Sequence, residues 1–210
     1  MTIGKFIVFE GIDGSGKSTH AALLKERLEK LGFTVYVTAE PSEGEAGKLL
    51  RRCLTGKSDL PEEAIAALFA ADRVDHIKNS SFGILSHLEK GEIVLCDRYY
   101  FSSFAYNGSY SPMDWVIELN APARRLLRPD LTIFLDIPPE SFLSRIQNRS
   151  EKERYEKIEI LKKVRENYFA AFRALPDEKV AVVSNARPLP EAAEEVFRAV
   201  LPLIESPNRA

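Results

Sequence analysis

The chain is short of cysteine. Among its 210 residues only Cys53 and Cys96 are thiols, too few for a disulfide framework and without the paired spacing of metal-ligating cysteines. Long apolar runs are missing as well: none approaches the ~18–20 residues of a membrane span. Met1-Thr2-Ile3-Gly4-Lys5 leads straight into a strand pattern rather than a signal peptide. Nor is there an excess of charge of one sign, since 29 basic side chains stand against 31 acidic ones for a net charge of −2. Proteins that hold nucleic acid mainly by its phosphates carry a strong basic excess, so nucleic acid is not an expected partner, and neither is an anionic membrane surface. Internal repeats, low-complexity segments and linkers are absent. The hydrophobic content of 45% argues against disorder, and the length suits one domain that buries its own core. A cytoplasmic globular enzyme is the expectation.

Short β-branched runs alternate with longer helical patterns. The runs are Phe6–Phe9, Phe33–Val37, Ile93–Cys96, Leu131–Leu135 and Val180–Val183. Residues apolar at consecutive positions suit strands covered on both faces, the signature of a parallel sheet between helices. Ala21, Leu24, Leu28 and Leu31 fall at helical spacing between the first two runs, and Gly32 marks the stop. Pro61-Glu62-Glu63 reads as the start of a helix running to about Leu88. Pro138-Pro139-Glu140 opens another, Asn148 to Lys157 reads as a polar loop, and a last helix spans about Pro190 to Ile204 before a frayed tail. The expected fold is α/β with about five parallel strands.

Directly after the first run stands Gly11-Ile12-Asp13-Gly14-Ser15-Gly16-Lys17-Ser18, a complete G-x-x-x-x-G-K-Ser. Its glycines let the backbone turn tightly and aim successive N–H groups at phosphate, and the helix behind adds its positive end. Lys17 is placed to bridge β- and γ-phosphates and the Ser18 hydroxyl to bind Mg²⁺. A strand before and a helix after are the context that this loop requires. It implies a nucleoside triphosphate ligand, and leaves switches, motors and small-molecule kinases to be separated by other features.

Asp97-Arg98-Tyr99 follows the third strand. An aspartate there can hold Mg²⁺ through water and the arginine can reach phosphate oxygens; the alternative is a surface ion pair. Phe69 and Arg73, four apart, share a helical face and could stack on and hydrogen-bond a base, although spacing alone favours a core position for Phe69. Arg145, Arg149, Lys152 and Arg154 crowd one polar stretch. A solvated loop is one reading. An Arg-rich lid over a moving phosphoryl group is the other, because the loop at 11–18 has no basic residue at its centre.

Taken together these segments resemble the thymidylate kinases. The likeness rests on FEGIDGSGKST at 9–19, EP at 40–41, LFAADR at 68–73, DRYYFSSFAYNG at 97–108, ERYEK at 153–157 and SNARP at 184–188, and covers nearly the whole chain. It implies a three-layer P-loop fold of the nucleoside monophosphate kinase type, one domain over 1–210 with a lid at about 148–156. It also implies transfer of the γ-phosphoryl of ATP to dTMP with Mg²⁺, in dTTP synthesis. By the same resemblance the amides from Gly11 to Thr19 and Lys17 hold ATP, with Gly14, Ser15, Gly16 and Ser18 among them. Asp13 lies near the 3′-hydroxyl of dTMP, Asp97 with Ser18 positions Mg²⁺, and Arg98 touches phosphates of both nucleotides. Phe69 stacks on thymine, Arg73 and Ser103 meet its polar edge, and Tyr106 lies under the sugar where a ribose 2′-hydroxyl would collide. Arg145 and the turn Asn185–Arg187 face adenine, Arg149 and Arg154 serve the transfer from the lid, and Pro41 follows a cis bond. Ala39 and Ser42-Glu43 stand where many bacterial members read an arginine and two glycines, and Asn107 replaces a frequent glutamine. Related enzymes are commonly homodimers, with the helix at 61–88 as a contributor here. The competing readings are a kinase for another nucleotide or nucleoside, and a P-loop ATPase or GTPase switch. His20, His76 and His87 show no partners in the sequence.

Overall fold

The computed structural model describes residues 4–141 and 151–205, without the side chains of 151–157. Five strands form one sheet: β1 (Lys5–Glu10), β2 (Val35–Ala39), β3 (Ile93–Asp97), β4 (Leu131–Asp136) and β5 (Val180–Ser184). Their order is β2-β3-β1-β4-β5 and every pair is parallel. Along β1 the pleat sends Phe6 and Val8 into one apolar cluster and Ile7 and Phe9 into the other. The strand is therefore buried on both faces, as its unbroken apolar run implies.

The Phe6 face is covered by helices α5 (Tyr100–Tyr106) and α8 (Glu151–Ala174), which bring Tyr100, Phe101, Phe104 and Tyr168 to Phe134. The Ile7 face is covered by α1 (Lys17–Lys30) and α9 (Leu189–Glu205) through Leu24, Leu28, Val196 and Val200. Between these lie α2 (Glu45–Leu54), α3 (Glu62–Lys78), α4 (Ile84–Glu89), α6 (Met113–Leu119) and α7 (Ala121–Leu126). The chain leaves β1 toward β2 on one side and returns across β1 from β3 to β4. This reversal opens a crevice at the C-terminal end of β1, where ligands of such sheets bind.

Three expectations change. The helix expected over 61–88 is two, because Asn79 leaves helical geometry at φ −58° and ψ 131°. Its side chain accepts the Ser81 N–H at 3.0 Å, and its carbonyl accepts the Gly83 N–H at 2.9 Å, a side-chain-supported turn that ends α3. The second strand starts at Val35, not Phe33. Gly32, at φ +90°, and Phe33 donate to the carbonyls of Glu29 at 3.0 Å and Leu28 at 3.1 Å, and this glycine-centred cap consumes Phe33. The stretch read as a polar loop is helical from Glu151, in keeping with the helix propensity of its Glu, Lys and Arg residues. Residues 139–141 form a single 3₁₀ turn. The rest of the helix expected there and the tail Ser206–Ala210 lie outside the described residues.

Candidate active site

The loop between β1 and α1 is wrapped tightly. Gly11, Gly14 and Gly16 have φ of +148°, +76° and +89°, values that L side chains avoid. Space forbids them too: a Cβ on Gly11 would lie 2.8 Å from the Leu135 carbonyl, and one on Gly16 2.9 Å from Asn185. Asn185 braces the loop from behind, donating from Nδ2 to the Ser15 carbonyl at 2.7 Å while its Oδ1 meets His20 Nε2 at 2.9 Å.

Lys17 is only 7% exposed and its Nζ donates to the Gly11 and Ile12 carbonyls at 3.2 Å each. Burial, joined by repulsion from Arg98, brings its pKa down from 10.5 to about 8 against the pull of Asp97 and Asp13. The next residue, Ser18, donates its hydroxyl to Asp97 Oδ2 at 2.7 Å. The other oxygen of Asp97 is buried and has no hydrogen-bond partner among the described residues.

Arg98 follows at φ +72°, an uncommon conformation for a bulky residue. Its Nη2 donates to Asp13 Oδ1 at 2.7 Å and to the Tyr106 oxygen at 3.3 Å; its Nη1 donates to Ser102 Oγ at 2.9 Å. Tyr106 closes this ring by donating to Asp13 Oδ1 at 3.1 Å and accepting the Asp13 N–H at 3.0 Å. Burial pushes the Tyr106 hydroxyl up to about 12, so it remains a proton donor at neutral pH. Lys17, Ser18, Asp97, Arg98 and Asp13 thus meet beyond the ends of β1 and β3, where Tyr106 joins them from the end of α5.

Beside them α3 and α5 bring a second set of polar side chains together. Arg73 is 1% exposed. Its Nε and Nη2 donate to Glu40 Oε2 at 2.8 and 2.5 Å, and its Nη1 donates to Ser103 Oγ at 3.1 Å and to Asn120 Oδ1. Four of five donors are so used, leaving one Nη2 hydrogen among the described contacts. The Asn120 amide is itself fixed by donation to the Val116 carbonyl at 2.8 Å. Phe69, one turn before Arg73, is half-buried and belongs to neither core cluster. The core position suggested by its spacing is therefore not the one it takes. The Glu40–Pro41 bond is cis. Ser42 donates its N–H and hydroxyl to the buried Asp72 carboxylate at 2.8 and 2.6 Å, and burial raises the Asp72 pKa. Arg51 of α2 reaches the Pro41 carbonyl at 2.8 Å.

The histidines have partners after all. His20 meets Asn185, His76 lies between Thr38 at 2.7 Å and Glu40 at 3.2 Å, and His87 contacts Glu92 at 2.6 Å and stacks on Tyr36. On the expected adenine side, Arg187 pairs with Glu195 at 2.8 Å on the surface, while Asn185 faces the loop instead. Arg145 and Arg149 lie outside the described residues; Arg154 falls within α8, its side chain outside them. The residues that sequence reasoning missed are supports: Glu10, Ser102, Tyr168, Glu40 and Asn120. A glutamate closing the apolar run Phe6–Phe9 was the one visible signal, since a charge buried there needs partners.

A family model described as thymidylate kinase matches residues 9–196. A probable thymidylate kinase of Pyrococcus horikoshii is 43% identical over 184 residues, 84% of this chain and 87% of the relative. One of Thermococcus onnurineus is 41% identical over 210 residues, 95% of this chain and 97% of the relative. A third, of Pyrobaculum calidifontis, is 40% identical over 91% of this chain and 93% of the relative. With a family model spanning most of its length and relatives this similar end to end, the chain belongs to the thymidylate kinase family.

Proposed function

We propose that this protein transfers the γ-phosphoryl group of ATP to dTMP, giving dTDP and ADP. The observation that carries the reading is the joining of two sites. A phosphate-binding loop with Lys17, Ser18 and Asp97 is joined to the Arg73 cluster through Glu40. Glu40 holds Arg73 by its carboxylate and donates its N–H to the Asp97 carbonyl at 3.0 Å, with half-buried Phe69 one turn from Arg73 and Arg98 paired to Asp13. An oxygen of the dTMP phosphate bonds to the γ-phosphorus as the bond from that phosphorus to the bridging β-oxygen breaks, and ADP leaves with the electron pair. Such a reaction asks for alignment and charge neutralisation more than for a general base. Lys17 and Arg98 supply fixed positive charge at the transferring group, and the amides of Gly14 to Thr19 orient the ATP phosphates.

Mg²⁺ fits the residues present. Asp97 offers a buried carboxylate oxygen without a partner among the described residues, next to the Ser18 hydroxyl, and these are the hard oxygen donors that the cation takes. Ser18 and Asp97 would hold it, Asp97 through water, and bound there it screens the β- and γ-phosphate charge. Arg149 and Arg154 from the lid, and Arg145 with Arg187 at adenine, complete the proposed set on the strength of the family resemblance. The same resemblance supports a single cytoplasmic domain that pairs as a homodimer, with α3 in the contact.

Arg73 bears donors only and most of them are tied to protein, so the base edge facing it must accept a hydrogen bond. That favours the carbonyl of thymine or uracil over the amino group of cytosine. A panel of monophosphates with ATP and Mg²⁺, followed by ADP release, tests this: dTMP should lead, dUMP should follow, and dCMP should be poor. Equal rates for all would contradict the pocket assignment. Tyr106→Ala should cut the preference for dTMP over its ribonucleotide counterpart by about tenfold; an unaltered ratio would remove Tyr106 from that role.

A further inference from the structure

We propose that Glu10 is the positioning residue of Arg98, fixing both its backbone and its guanidinium. The inference rests on the assignment of Arg98 to the reacting phosphates. Glu10 ends β1 and is 0% exposed, so its carboxylate must find its partners within the protein. It finds four. Oε1 accepts the N–H groups of Tyr99 at 2.9 Å and Ser102 at 3.1 Å; Oε2 accepts the hydroxyls of Ser102 at 2.6 Å and Tyr168 at 2.9 Å.

Each of these bonds ends next to Arg98. The left-handed backbone of Arg98 is held on both sides by consecutive residues of β1. Its own N–H donates to the Phe9 carbonyl at 2.9 Å, and the following N–H, of Tyr99, donates to Glu10. A conformation so rarely adopted by a bulky side chain persists where neighbours over-determine it. The guanidinium is held through the other oxygen. Arg98 Nη1 donates to Ser102 Oγ at 2.9 Å and to the Tyr168 hydroxyl at 3.5 Å. Each hydroxyl has one proton, and the two oxygens also lie 2.9 Å from each other; in the arrangement that gives both protons to Glu10, at 2.6 and 2.9 Å, both turn lone pairs toward Arg98. Burial pushes the Glu10 pKa up against the bonds from Ser102, Tyr168 and Tyr99 and the charge of Arg98; in its ionised form the carboxylate enforces this direction because it can only accept. Glutamine has the same shape but presents an NH₂, which turns one hydroxyl around and aims a proton at the guanidinium or loses the bond to the backbone.

The test is a cycle of Glu10→Gln, Arg98→Ala and the double variant, with kcat and KM measured for both nucleotides and folding followed by circular dichroism. Arg98→Ala should lower kcat by about a hundredfold or more, and Glu10→Gln by about tenfold with the KM for ATP within about twofold. In the Arg98→Ala background Glu10→Gln should change kcat by less than about twofold, since residues acting as one unit are not additive. Equal factors in both backgrounds would overturn the proposal, because Glu10 would then act elsewhere or through general stability. An Arg98→Ala enzyme with unchanged kcat would overturn the phosphate assignment itself, which is a distinguishable failure. Should Glu10→Gln not fold, Ser102→Ala removes only the hydroxyl shared by Glu10 Oε2 and Arg98 Nη1. It should lower kcat several-fold in the Arg98 enzyme and not in the Arg98→Ala enzyme; no loss in the former overturns the proposal.

Discussion

Lys17→Ala should keep the fold and lower kcat for dTDP formation by about a thousandfold. Among the described residues the Lys17 ammonium is the lysine charge tied to the phosphate loop, where it rests on the Gly11 and Ile12 carbonyls. Its removal does not unpack the protein, since the side chain belongs to neither apolar cluster. Burial of its charge is a burden on the fold, so the melting temperature should hold or rise. An unchanged kcat would end the assignment of the loop.

The pH dependence of the unsubstituted enzyme follows from the same group. Lys17 titrates at about 8 when folded and near its ordinary 10.5 when unfolded. Between those values the unfolded chain binds the extra proton, so the contribution of Lys17 to stability grows as pH rises from about 8 toward 10.5. Catalysis runs the other way, because the charged form is needed at phosphate. The kcat/KM for ATP, which reports the free enzyme, should therefore fall above about pH 8 while stability from this group increases. A flat kcat/KM profile up to pH 9.5 would contradict the role given to Lys17.

Asp97→Asn is the second large effect. The substitution keeps the shape and the acceptor for the Ser18 hydroxyl, and puts an NH₂ donor in place of the buried oxygen that has no partner among the described residues. Leaving a buried acceptor unsatisfied costs about 1–3 kcal/mol, so its presence at the mouth of the site signals a ligand rather than stability. The Mg²⁺ concentration for half-maximal rate should rise about 10–100-fold, with kcat at saturation reduced as well. Chelation of the cation should stop turnover of the unsubstituted enzyme, and regain on adding Mg²⁺ should need far more in the Asp97→Asn enzyme. Identical Mg²⁺ titrations for the two would place the cation elsewhere.

The parts legible in the sequence are those whose physics is local. The five strands announce themselves because a parallel strand is apolar at every position, and the phosphate loop because its backbone demands glycine at three fixed places. Phe33 was less legible, because it sits in an apolar pattern and only the cap it forms in space separates it from the strand; Asn79-Ser80-Ser81 before Gly83 was a local turn signal inside the span read as one helix. The site shows the same division. Lys17, Asp97 and Arg98 lie beside strand ends and could be placed by adjacency. Asn120 and Tyr168 could not, since Asn120 meets Arg73 across 47 residues of chain and Tyr168 meets Arg98 and Glu10 across 70 and 158. No spacing rule reaches that far. Phe69 shows that periodicity can mislead, because a ring at core spacing stays half-buried outside both apolar clusters.

The most direct measurement is to incubate the protein with Mg²⁺ and ATP labelled at the γ-phosphate, with and without dTMP, and to separate the nucleotides. The account predicts that label moves into dTDP and that ADP forms in equal amount, both dependent on dTMP. ADP released at the same slow rate whether or not dTMP is present, with no labelled dTDP, would contradict it.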